Sequence, residues 1–441
     1  MDDVIALDTA LNDLGAEASL GRLLAVAGAS VRVSGLGEEV ELGDAIEVLT
    51  TGGPLRGEVV RLERGSVQAL LEGEAKGIRV GQGVRHAPRP AFRPAAHWLG
   101  RVIDPDGLPL DGRPLLPGPT GVPLDRDPPP ANLRRGLGAR LRTGYAVFNT
   151  LLPIVRGQRL GIFAGSGVGK STLLGGLART VEADVIVMAL VGERGREVQE
   201  FVTATLGPDA MARTVVVAAT SDRAPQVRRR CARSATAIAE TFRDSGRHVL
   251  LLIDSVTRFC EAHREVAVAA GETANLRGHP ASTANAIAHL CERAGPGENE
   301  SGDITAIYTV LVAGSDMEEP VADMLRGVLD GHIVLSREIA ERGRFPAIDV
   351  PRSVSRSLPA AASRVENELI AKARRTMATY QESALMIKAG LYQPGADADL
   401  DAAVAANGPL ESFLSMMDSR SADDHFRQLK KILTESDGSN S

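Results

Sequence analysis

One twelve-residue run constrains this chain more than any other: Gly161-Ile-Phe-Ala-Gly-Ser-Gly-Val-Gly-Lys-Ser-Thr172. An apolar strand predicted over 159–163 leads into glycines 165, 167 and 169, then Lys170, Ser171 and a leucine-bearing helical stretch. Glycines let successive backbone N–H groups turn inward and approach an oxyanion closely. The helix N-terminus that follows adds partial positive charge. The loop Gly165, Ser166, Gly167, Val168 and Gly169, with Thr172 behind it, is therefore expected to wrap a nucleotide triphosphate. Lys170 should reach the β- and γ-phosphates, and Ser171 should offer its hydroxyl to Mg²⁺. The first position of the pattern G-x-x-x-x-G-K-[ST] is Ala164, a departure of one methyl group at the strand's end. A plain glycine-rich turn would explain the glycines, but not Gly-Lys-Ser opening a helix straight after an apolar strand.

A chain of 441 residues exceeds what one hydrophobic core usually supports, so two or three domains are expected. The longest apolar runs, at 249–253 and 185–191, have the length of strands and not of membrane spans. Met1-Asp-Asp is acidic and opens no secretion signal. Cys231, Cys260 and Cys291 are odd in number and lack C-x-x-C spacing, which reads as reduced, packed thiols in a cytoplasmic protein. The eight histidines are scattered, and no metal site is expected beyond the Mg²⁺ that accompanies ATP. A net charge of −6 with 3% aromatics argues against a dedicated nucleic-acid binder.

Along the chain, Val4, Leu7, Leu11 and Leu14 give residues 1–18 an amphipathic helical spacing. That segment could dock on a partner, pack on its own domain or be a frayed terminus. From 21 to about 84 the period changes to two, with runs at 31–33, 40–42, 45–49 and 59–62 separated by glycine turns. These runs predict a small antiparallel barrel or sandwich over 19–90, of which the barrel is preferred. A proline-rich linker follows at 86–94. Strands are predicted at 159–163, 184–190, 214–218, 248–253, 304–312 and 332–335, with a long helix at 224–244. This alternation implies a mostly parallel sheet wrapped by helices, an α/β domain over 91–358. Helices at 364–388, 401–418 and 422–434 make 359–441 a helical C-terminal domain with a polar tail.

Three further stretches carry chemistry. The strand ending at Asp254 puts a carboxylate at the sheet edge where α/β folds bind ligands, positioned to hold Mg²⁺ through water. Many strands end in Asp, so the P-loop upstream carries this reading. In Val191-Gly-Glu193-Arg194-Gly-Arg196-Glu197, Glu193 has the place of a base that polarises water, worth ~10²–10⁴ in rate. A solvated charge cluster opening a helix fits the same residues equally well. In the stretch from Arg344 through Phe345 to Arg356, an aromatic beside proline could stack on adenine and an arginine could reach a neighbour's γ-phosphate. By composition alone, both read as packing and surface charge.

Together these runs resemble the RecA-like rotary ATPase family. The flagellar and virulence type III protein-export ATPases are the matching branch. Pro346-Ala-Ile-Asp349-x-x-x-Ser353-x-Ser355 fits the α/β-subunit signature of ATP synthases. The P-loop, Gly-Glu-Arg-Gly-Arg-Glu at 192–197, Leu-Leu-Leu-Ile-Asp-Ser-Val-Thr-Arg at 250–258, and the runs at 313–323 and 330–337 resemble the export branch. The resemblance implies a RecA-like P-loop core between a β-barrel and a helical domain. It makes Glu193 the water-activating carboxylate, places Arg194 near the γ-phosphate, and makes Arg356 an arginine finger acting across a subunit interface. Such fingers are worth about 10³–10⁵ in rate. It sets Phe345 against adenine, with Tyr392 closing the other side of the base.

Because one chain carries both Glu193 and Arg356, the resemblance implies a homohexamer hydrolysing MgATP at its interfaces. Its implied role is to energise or gate protein export, with flagellar export favoured over virulence secretion. Implied partners are a regulator docking on 1–18, a central stalk, a membrane-embedded export gate, and export substrates with their chaperones. Nucleic acid is not expected. The implied location is the cytoplasm, peripheral to the inner face of the membrane. The alternatives are a catalytic subunit of a proton-driven ATP synthase, an RNA motor of the transcription-terminator type, and a nucleotide-sensing scaffold without turnover. The acidic Asp-Glu-Leu-Ser-Glu-Glu-Asp loop of the first is absent, and the acidic balance disfavours the second.

Overall fold

A computed structural model describes residues 20–87, 89–312 and 317–438; the amphipathic stretch read at 1–18 lies outside them. The N-terminal strands β1 (Leu20–Ala27), β2 (Ser30–Ser34), β3 (Ala45–Thr50), β4 (Gly53–Glu63), β5 (Ser66–Leu71) and β6 (Gly83–His86) close a barrel in the order β1-β2-β5-β4-β3-β6. Alternation fills its interior, because side chains two apart share a face. Leu23, Val31, Val33, Ile46, Val48, Val59, Ala69 and Val84 are all buried there. The expected strand at 40–42 is instead a turn. It lies between Gly37 and Gly43, and the Glu41 amide donates to Asp44 Oδ2 at 2.9 Å. Residues 222–229 and 260–283 belong to the same compact unit. Gln226 Nε2 donates to the Leu70 carbonyl at 3.0 Å, and Arg229 pairs with the buried Glu58 at 2.8 Å.

The larger unit is built on a nine-stranded sheet. Its main strands are β7 (Arg101–Ile103), β8 (Arg159–Ala164), β9 (Val185–Glu193), β10 (Thr214–Thr220), β11 (His248–Asp254), β12 (Asp303–Leu311), β13 (Gly331–Leu335) and β14 (Ile348–Ser355). They run in the order β14-β13-β8-β12-β11-β9-β10-β7, parallel except for β14 on β13. The central strands are covered on both faces, which explains their unbroken apolar runs. The expected strands are present, each within about three residues of its predicted ends. β7 and β14 were not expected. β7 is three residues long, and β14 mixes Asp349, Pro351, Arg352 and Ser353 into its run. An edge strand tolerates both the proline and the polar residues, because one of its sides makes no ladder hydrogen bonds.

The helices that matter for the site are α1 (Lys170–Thr180), α2 (Gly195–Glu200), α3 (Pro225–Asp244) and α4 (Val256–Ala269), followed by the C-terminal α5 (Arg364–Glu382), α6 (Ala398–Leu414) and α7 (Ala422–Gly438). The single helix expected at 364–388 breaks at Ser383. Ser363 and Glu366 form a reciprocal capping box at the start of α5. α6 begins earlier than expected because Asp397 accepts from the Asp399 and Leu400 amides. Leu410, Phe413, Leu429 and Leu433 pack into one core with Phe148, Leu174 and Ile348. Burying each such side chain is worth about 1.5–3 kcal/mol. All three cysteines are buried thiols. Among the described residues no helix is long and apolar enough to cross a membrane.

Candidate active site

The glycine loop leaves β8 at Ala164 and ends where α1 starts at Lys170. Gly167 and Gly169 have φ of 77° and 86°, which glycine adopts without strain. No side chain caps α1, so its first amides and their partial charge are left to a ligand. Val168 is buried and anchors the loop in the core. Arg337 Nη2 donates to the Ser166 carbonyl at 3.2 Å. A Cβ on Gly169 would lie 3.2 Å from Phe345 Cδ1, so the half-exposed Phe345 ring rests on the loop itself.

Opposite the loop, β11 ends in the buried Asp254, which pairs in register with Leu190 of β9. β9 continues three residues further to Glu193, so both acids emerge at one edge. The Lys170 ammonium donates to Asp254 Oδ1, and Thr309 Oγ1 donates to the same oxygen at 2.8 Å. Ser171, Thr172, Glu193, Glu197 and Asp254 line one cavity of about 220 Å³. Burial, a hydrogen bond with Glu197 and the charge of Asp254 push the Glu193 carboxyl up to about 7, against the opposing pull of Lys170.

Ser171 and Asp254 offer hard oxygen donors of the kind Mg²⁺ takes. The carboxylates around one ammonium leave excess negative charge that a divalent cation would neutralise. Among the described residues no cluster of three or more acidic, His or Cys side chains forms a metal cage.

The remaining expected residues are placed differently. Arg194 is 82% exposed, with a loose 3.8 Å pairing to Glu197. The Tyr392 hydroxyl donates to Asp401 Oδ1 at 2.6 Å. Among the described residues the rings of Phe345 and Tyr392 make no contact with each other. Arg356 is exposed, with its amide on the Asp330 carbonyl at 2.9 Å and its guanidinium on the Arg326 carbonyl at 3.1 Å. Register fixes its position. Leu335 and Ile348 are level with Ala164, whereas His332 and Val354 are level with Gly161. Arg356 lies beyond them, at the sheet edge away from the loop, roughly 15 Å off at ~3.3 Å per residue.

Sequence reasoning gave no site role to Thr309, Glu197, Arg337 or Arg374. A threonine inside an apolar strand gives no signal, since β-branched residues suit strands anyway. Glu197 reads as a helix-opening charge. Arg374, on α5, donates to the carbonyls of Pro351 (3.3 Å) and Ser353 (2.9 Å) on β14, a strand the sequence did not announce.

Comparison with known proteins adds the following. The model described as "ATP synthase alpha/beta family, nucleotide-binding domain" matches residues 144–355, and "T3SS EscN ATPase C-terminal domain" matches 362–431. The chain is 44% identical to the flagellum-specific ATP synthase of Caulobacter vibrioides, covering 94% of this chain and 95% of that one. It is 41% identical to the type 3 secretion system ATPase of Xanthomonas euvesicatoria, covering 93% and 92%. The assembled ATPase EscN from the enteropathogenic E. coli type III secretion system superposes with a TM-score of 0.87 at 36% identity, covering 94% of this chain and 100% of that one. The same ATPase in complex with its central stalk EscO gives a TM-score of 0.83, also at 36% identity and the same coverage.

Proposed function

Because the chain belongs to the family of flagellum-specific ATP synthases and type 3 secretion system ATPases, we propose that it is a ring ATPase whose hydrolysis of MgATP drives or gates flagellar protein export. The RecA-like core with its barrel and helical flanks is that of an ATP hydrolase. The observation that carries the mechanism is the shared cavity of Ser171, Glu193 and Asp254 beside the glycine loop.

In that site the loop amides and Lys170 bind the phosphates, and Lys170 leaves Asp254 to do so. Ser171 and Asp254 would hold Mg²⁺, which would supply neutralisation of the phosphate charge. Glu193 orients the attacking water and accepts its proton, a task suited to a carboxyl whose proton affinity lies near neutrality. Phe345, resting on Gly169, stacks on adenine, and Tyr392 is the candidate for its other face. Arg194 lies near the γ-phosphate once the site closes. Arg356 completes the site of the neighbouring subunit, which its position on the far sheet edge supports.

A homohexamer follows from one chain carrying both halves of the interface. The assembled state of EscN and its complex with a central stalk support a ring and a stalk partner for this chain too. A regulator on residues 1–18, the membrane export gate, and substrates with chaperones are the further partners proposed. The proposed location is cytoplasmic, peripheral to the membrane at the export apparatus. Virulence secretion is the second reading, favoured by the likeness to EscN.

Deleting the gene decides between them. Loss of flagellar filaments, restored by the wild-type chain but not by Glu193→Gln, is expected; intact filaments with lost secretion of host-directed proteins would overturn the flagellar reading. Purified Glu193→Gln should bind ATP nearly as well as wild type and hydrolyse it at least tenfold more slowly.

A further inference from the structure

Thr309 is fully buried near the end of β12, a central strand of the sheet. β12 pairs with β11 so that Tyr308 faces Ile253, which brings Thr309 level with Asp254. A hydroxyl in such an apolar strand is costly to bury unless it is hydrogen-bonded. Its oxygen lies 2.8 Å from Asp254 Oδ1 and 3.3 Å from the Ile253 carbonyl. The one proton goes to the nearer, charged acceptor, which makes the stronger bond. Asp254 Oδ1 thus takes two donors, Lys170 and Thr309. Asp254 Oδ2 takes none among the described residues, and Asp254 lines the cavity with Ser171 and Glu193.

The two donors have different fates. Lys170 must swing to the phosphates for the loop to work, and Thr309 cannot follow because it is fixed in a strand. We propose that Thr309 is a positioning residue: its hydroxyl clamps Oδ1 so that Oδ2 faces the metal, and it alone keeps Asp254 aligned after Lys170 has left. This rests on the reading of Asp254 as the Mg²⁺ carboxylate.

The test uses the full-length chain carrying Thr309→Val, Thr309→Ser, Asp254→Asn, or Asp254→Asn with Thr309→Val. Three quantities are measured: the Mg²⁺ concentration for half-maximal hydrolysis, affinity for a fluorescent ATP analogue with Mg²⁺ and with EDTA, and the melting midpoint. Thr309→Val should raise the Mg²⁺ requirement at least fivefold and weaken analogue binding with Mg²⁺ similarly. Binding in EDTA should stay within twofold. Thr309→Ser, which keeps the hydroxyl, should return every value to within twofold of wild type. In the Asp254→Asn background, adding Val should change nothing further. The proposal is overturned if Val leaves the Mg²⁺ requirement unchanged, if binding falls equally in EDTA, or if Ser behaves like Val. If Asp254→Asn itself leaves the Mg²⁺ requirement unaltered, the reading of Asp254 fails first. If Asp254→Asn raises it and Val does not, only the role of Thr309 falls. Should the Val protein not fold, Thr309→Ala is read in its place, by the same criteria.

Discussion

Lys170 and Arg356 stand at opposite edges of one sheet: the strand that leads to Lys170 ends level with Ile348, while Arg356 follows Ser355 at the other end of β14. Along the strands, Arg356 lies roughly 15 Å from the level of Ala164, where the loop that carries Lys170 begins, which favours the two cations serving different triphosphates. If Arg356 serves catalysis, it serves a neighbour. Lys170→Ala and Arg356→Ala should each be nearly inactive, the latter by about 10³-fold or more. Mixed into common rings at equal ratio, they should regain activity, because about a quarter of heterologous interfaces then pair an intact Lys170 with an intact Arg356. No recovery in rings shown to mix would remove the trans role of Arg356.

The Glu193 carboxyl is held at about 7, first by burial and then by its hydrogen bond with Glu197. A base must be ionised to act, so kcat/KM should rise with pH through about 7 and level off above it. Glu197→Gln removes the second cause and leaves the first, so the midpoint should fall but stay above the ordinary value of 4.5. Stability should show the same group with its own sign. A carboxyl raised in the folded state contributes fully at acid pH and loses that contribution as pH climbs to about 7. Glu193→Gln should therefore gain in melting temperature relative to wild type between pH 4.5 and 7. An unmoved midpoint in Glu197→Gln, or parallel melting curves, would refute this account.

How much of this was legible beforehand depended on how local the signal was. Lys170, Ser171 and the loop glycines announce themselves because their chemistry needs consecutive residues in one turn. Asp254 was readable because an apolar run ended in a charge downstream of that loop. β14 was not readable: its pattern alternates poorly, and its pairing with β13 is set by tertiary contact. Without that strand, neither the placement of Arg356 nor the grip of Arg374 could be derived. Thr309 was silent because its function, if the clamp holds, arises only where two strands lie side by side.

Gly169 is both a left-handed backbone position and the seat of Phe345. Alanine there meets a strained φ, worth roughly 1–2 kcal/mol, and presses a methyl 3.2 Å from the ring. Gly169→Ala should weaken binding of adenine nucleotides about tenfold, and binding of inorganic triphosphate less. That difference reads the displaced ring apart from the distorted loop. Equal losses for both ligands would mean that Phe345 does not report on the base.

Arg374 ties α5 to β14 through two carbonyls, while Arg344 pairs with Glu411 of α6 at 2.6 Å. The helical part of the chain thus holds the segment from Phe345 to Arg356 just before its start and again within β14. Arg374→Met keeps the apolar stem but loses both hydrogen bonds. Bonds from a charged donor are worth about 1.5–3 kcal/mol. The loosened strand carries Arg356, which faces a neighbour, so turnover should fall about tenfold while each subunit binds nucleotide within twofold of wild type. Arg374→Met should also behave like Arg356→Ala in mixed rings, regaining activity beside Lys170→Ala subunits. If instead nucleotide affinity falls in proportion to turnover, β14 acts through Phe345 on its own site. The coupling from helices to finger would then be wrong.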